Sequence, residues 1–179
     1  MKINTRQLLM LTFCMMAGFV AKRAVSPFTS VLTDFFRIPG GSLATGFALA
    51  FFVLGVSLVP VRGAGALMGF VQGTLALVLG MSGYQGVLAL VTYTIPGLVI
   101  DLCSGVMKER DTLYFVLTCI LSNTVCALFS NLLVFHLQGI ALLLWLLMGA
   151  LSGIAGGAIA GMVYRRLSAA VMQEGRGVS

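Results

Sequence analysis

The chain has 179 residues, 59% of them hydrophobic and only 9% charged, with a net charge of +6 and a mean hydropathy of +1.06. A soluble domain carries about 25% charged residues because its surface faces water; a chain this poor in charge faces lipid instead. Runs such as Ile140 to Met148 are apolar on every side, which excludes the alternating pattern of a spanning barrel strand and leaves helices, whose backbone groups pair within the segment.

The first apolar run, Leu8 to Ala21, follows Lys2 and Arg6. It has the basic start and short apolar core of a signal peptide, but Lys22 and Arg23 follow directly and no small-x-small cleavage site precedes a polar start. It is therefore read as a retained helix, residues 6–24. Residues 25–40 read as a loop: Pro27 and Pro39 break helix and Gly40-Gly41 closes the segment. Its Phe28, Phe35 and Phe36 allow two roles, an interfacial anchor or a lid over a cavity.

Beyond Arg37 the charge-free stretches set the pattern. They hold 24 residues up to Arg62, 38 between Arg62 and Asp101, and 53 between Asp111 and Arg165. At roughly 20 apolar residues per crossing, these hold about one, two and two spans. Helices are expected over 42–59, 63–79, 86–106, 112–135 and 140–164, the fourth interrupted or kinked at Pro96-Gly97. Residues 167–179 form a polar tail. The fold class is an all-α integral membrane protein: one membrane domain, 1–179, of six transmembrane helices in a compact bundle. With the N-terminus inside, eight basic residues are cytoplasmic (Lys2, Arg6, Arg62, Lys108, Arg110, Arg165, Arg166 and Arg176) against Lys22, Arg23 and Arg37 outside. That asymmetry puts both ends in the cytoplasm, with the chain crossing the plasma membrane. It also explains the positive net charge without nucleic acid.

Small residues at every fourth position let helix backbones approach closely in lipid. Gly65, Gly69 and Gly73 mark such a face on the third helix, and Gly149, Gly153, Gly157 and Gly161 on the sixth; both read as internal packing. Ala17 and Ala21 on the first helix serve a partner subunit equally well. The four cysteines lie inside predicted spans without C-x-x-C spacing, so no metal or disulfide framework is indicated. There is one histidine, no Ser/His/Asp grouping, no H-E-x-x-H and no phosphate loop. The chain reads as no enzyme, with no cofactor.

Polar groups at membrane depth are costly and face the bundle interior. Thr92, Tyr93, Asn131 and Trp145 fall in the outer half of the expected bundle, with His136 and Gln138 at its mouth and Tyr84 and Gln85 opposite. Gln72, Thr94 and Asn123 lie deeper. The outer set suits a small, partly aromatic solute held by stacking and hydrogen bonds. Interhelical hydrogen bonds and an aromatic belt are the competing use of the same residues. Asp101, one turn before the cytoplasmic end of its helix, can snorkel, pair with Arg62 or Lys108, or organise contact with a cytoplasmic partner.

Six helices in under 200 residues, the Ala17-x-x-x-Ala21 pair, the long first outer loop and Val61-Arg62-Gly63-Ala64-Gly65 together resemble the substrate-binding S component of energy-coupling-factor (ECF) transporters, over residues 8 to 166. The resemblance implies a vitamin-like micronutrient bound in an outward cavity closed by the first and third outer loops. It implies docking through Ala17 and Ala21 on a transmembrane coupling subunit, two cytoplasmic ATPases that power the cycle, and a prokaryotic inner membrane. The ligand stays open. The alternative is a scaffolding multi-span protein without a small-molecule ligand.

Overall fold

The computed structural model describes residues 4–34, 41–59 and 61–176, with the side chains of 30–34, 41–42, 83–84 and 170–176 outside the description. Among the described residues every regular element is helical: α1 (Thr5–Asp34), α2 (Gly41–Leu58), α3 (Ala64–Val78), α4 (Ala89–Val106), α5 (Thr112–Ser130) and α6 (Gly139–Arg176). A 3-10 segment, Gly83–Leu88, leads into α4, and a π-helical turn, Asn131–Phe135, prolongs α5. Four helices, α1, α4, α5 and α6, are long and apolar enough to cross a membrane; α2 and α3 are shorter and equally apolar. Many large apolar side chains (Leu, Val, Ile, Met and Phe) are exposed, whereas Gln72, Thr92, Thr118, Ser122, Asn123 and Ser152 are buried. Polar inside and apolar outside is the arrangement a lipid solvent favours.

Two elements, α1 and α6, differ from the sequence reading. α1 continues through Pro27 to Asp34, so residues 25–34 of the expected loop are helical; residues 35–40, with the rest of the possible lid, lie outside the described residues. Proline costs one backbone bond, but its fixed φ is helical. α6 likewise runs past Arg165 and Arg166 to Arg176, through most of the expected tail. Charge ends a bilayer crossing, not a hydrogen-bond ladder, and Leu167, Ala169 and Ala170 are strong helix formers. α4 is unbroken through Pro96-Gly97. Pro96 leaves the Thr92 carbonyl without its usual N–H; the Cys126 thiol on α5 donates to it at 3.5 Å.

α2 is the axis, touching each of the other five helices. Its Phe52, Val53 and Val56 are at the centre of the apolar core with Tyr114, Phe115 and Ile100. Close helix contact depends on glycine. A Cβ at Gly65 would lie 2.5 Å from the Gly97 carbonyl oxygen, and one at Gly73 3.1 Å from that of Ala89. Gly69 abuts the Tyr93 backbone in the same α3–α4 seam. On α6, a Cβ at Gly153 would lie 2.8 Å from Ile120 Cα and one at Gly157 2.5 Å from Val116 Cα, both on α5, while Gly161 has ordinary contact distances of 3.5 Å. The Gly149 carbonyl accepts from Asn123 Nδ2 at 2.8 Å. A second small face of α6, Ser152 and Gly156, meets Gly46 of α2, and the Ser152 hydroxyl donates to the Leu43 carbonyl.

Asp101 closes the seam between α3 and α4. Gly63 precedes α3 with φ +82 and has no side chain to cap the helix. The Asp101 carboxylate takes that place from the neighbouring helix, accepting from Gly65 N and Ala66 N, each at 2.9 Å. Two otherwise orphaned N–H groups are satisfied, with a negative charge at the positive end of the helix.

Candidate functional site

A cavity opens at the end of the bundle where Lys22, the segment before α4 and the α5–α6 turn meet, enclosing about 710 Å³ of atom-free space with its mouth included. α2 supplies Thr45, Leu49 and Phe52, α3 supplies Gln72, and α5 supplies Asn123, Cys126 and Ser130. Pro96 and Thr92 come from α4, and the aromatic wall is Tyr93, Phe135 and Trp145. Phe135 and Trp145 meet edge to face, 5.2 Å between centroids at 83°, a geometry that holds the indole plane in place.

The eight sequence candidates separate. Gln85, Thr92, Tyr93 and Trp145 line the cavity, and the Thr92 hydroxyl donates to Gln85 Oε1 at 2.9 Å. Asn131 instead shapes the α5–α6 turn: Leu137 N donates to its Oδ1 at 2.6 Å and its Nδ2 donates to the Leu137 carbonyl at 3.1 Å. His136 and Gln138 are exposed on that turn, His136 in the left-handed region at φ 51. The Tyr84 side chain lies outside the described residues. Of the docking pair, Ala17 and Ala21 are half-buried, while the next residue, Gly18, packs on α2, where a Cβ would lie 3.0 Å from the Ala48 carbonyl oxygen.

Three contributors were not placed in the site from the sequence. Gln72 and Asn123 were recognised as polar groups at membrane depth, without a way to tell which wall they join. Lys22 was read as the charged end of a span; because α1 continues to Asp34, it is a mid-helix ammonium. It donates to the Tyr93 hydroxyl at 3.0 Å and lies 4.3 Å from the centre of the same ring. A lysine within a long apolar helix is itself a functional signal, and the helical continuation past Pro27 is what concealed it.

Two donors in the lining have no partner among the described residues: Gln72 Nε2 and Trp145 Nε1, on side chains each 3% exposed. No three His, Cys, Asp or Glu side chains gather among the described residues. The chemistry of the cavity is that of an ammonium, hydroxyls, amides and an indole N–H against aromatic and aliphatic walls, which suits reversible binding. Neither a family model, nor a curated protein, nor a solved structure matches this chain.

Proposed function

We propose that the chain is the substrate-binding membrane subunit of an ECF-type importer, a six-span bundle with both ends in the cytoplasm that captures a vitamin-like micronutrient from outside. The observation that carries this reading is the pair of unpartnered donors, Gln72 Nε2 and Trp145 Nε1, in an aromatic-walled cavity. A buried donor without an acceptor costs about 1–3 kcal/mol. A scaffold gains nothing from that cost, whereas a ligand with acceptor atoms recovers it on binding.

The distribution of basic residues favours this orientation, since it turns the Lys22 end of the bundle, and with it the cavity mouth, outward. Energy comes from elsewhere, because the chain has no phosphate-binding loop. Two cytoplasmic ATPases supply it through a transmembrane coupling subunit seated on the α1 face around Ala17 and Ala21. Phe13 and Val20, on that side of α1, are 75% and 60% exposed, which leaves room for a partner helix to approach the alanines.

Native mass spectrometry of the protein isolated in mild detergent from its own membranes tests the reading. A bound small molecule and co-purifying ATPase-bearing partners are expected. Recovery of neither, across gentle conditions, favours the scaffolding alternative.

A further inference from the structure

We infer that the cavity selects a small planar solute bearing a single carboxylate, with Lys22 as its counter-ion; this rests on the substrate-binding reading above. An ammonium has three donors, and Lys22 directs one to the Tyr93 hydroxyl. Among the described residues no carboxylate lines the cavity. Asp101 is engaged by the α3 backbone and Asp111 by Tyr114 N at 2.8 Å, and Glu109 is exposed on the loop between α4 and α5. Lys22 is half-buried in the cavity lining with no opposite charge beside it among the described residues; an ammonium held so is costly, so the anion that compensates it arrives with the ligand.

The donor inventory agrees. Lys22, Gln72 and Trp145 all present hydrogens, and the Thr92 hydroxyl already directs its own to Gln85; a ligand rich in acceptors meets all three. One ammonium balances one carboxylate, whereas a phosphate monoester brings about 1.5 to 2 negative charges and leaves a surplus in a poorly solvated site. A second, shallower cleft shares Lys22 and Tyr93 with the cavity and adds Arg23 and Ser26. Arg23 thus adds positive potential on the approach, which draws anions toward the mouth.

Trp145 is the only tryptophan in the chain, so its emission reports this cavity alone. The protein in detergent is titrated, at up to millimolar concentrations, with charge-matched pairs, nicotinate with nicotinamide and benzoate with benzamide. Phenyl phosphate serves as the dianion and thiamine as a cation. The carboxylates are expected to move Trp145 emission and to bind at least about tenfold tighter than their amides, the effect of one close charge pair. Lys22→Gln removes that preference and Lys22→Arg keeps it. Lys22→Met, which keeps the length of the side chain without its charge, should lose the preference as well and keeps the proposal testable if Lys22→Gln fails to fold. Preference for amides, the dianion or the cation overturns the anion assignment and leaves the substrate-binding reading standing. Persistence of the preference in folded Lys22→Gln overturns the role of Lys22. No response to any solute overturns both.

Discussion

Asp101 commits both carboxylate oxygens to the backbone of another helix. None of the three roles open to it from the sequence had this form, because the acceptor's partners are amides and carry no side-chain signature. Asp101→Ala should lower stability by about 2 kcal/mol, the range for a hydrogen bond to a charged group whose removal orphans its donors. Asp101→Asn keeps one acceptor and should lose less; unfolding of the purified variants in detergent measures both. Gln72 makes the opposite case. Its Nε2 is buried without a partner, so Gln72→Met, close in volume and free of the orphan donor, should stabilise the ligand-free protein by about 1 kcal/mol while weakening solute binding. A loss of stability in that variant would show that the amide has a structural partner.

At the scale of helices, the glycine seams make sharper predictions than the apolar surfaces. Gly65 and Gly97 face one another across α3 and α4 with no room for a Cβ. Gly65→Ala should destabilise by about 1–3 kcal/mol, the cost of overpacking, and should do so by parting two helices that both bear cavity residues. Gly161→Ala meets only ordinary contacts and should be nearly neutral. Thermal unfolding of the two variants side by side checks the contrast. The spacing of Gly65, Gly69 and Gly73 was visible in the sequence because a period of four is a one-dimensional pattern. The Ser152–Gly46 contact was not, because Gly46 has no glycine four residues before or after it on α2 and its partner is 106 residues away. Helix existence was legible from charge-free length. The ends of α1 and α6 were not, since charge and proline mark where a helix leaves lipid rather than where its backbone stops hydrogen bonding. The same limit divided the site: Thr92, Tyr93 and Trp145 announce themselves as polar or aromatic groups at depth, whereas Lys22 looks like a boundary until α1 is seen to pass it.

For the molecule as a whole, the proposed cycle separates into capture within this chain and energy from another, and on that proposal the two use different sides of α1. Gly18 packs inward on α2, while Phe13, Val20 and the half-buried alanines lie toward the unpacked side. Replacing Ala17 and Ala21 together by leucine fills the shallow face without adding charge, so the helix still partitions into lipid and still presents Lys22 to the cavity. The double variant should bind solute with the same change in Trp145 emission as the unaltered protein, yet fail to co-purify with a coupling subunit and lose ATP-dependent uptake at least about tenfold, since small residues are what permit close helix approach in lipid. Phe13→Ala, which makes the same side smaller, should leave uptake within about twofold. Uptake that survives the alanine replacements would mean that α1 is not the docking helix. Loss of solute binding along with uptake would mean that α1 cannot be altered on one side without moving the other, and that capture and coupling are not separable in this bundle.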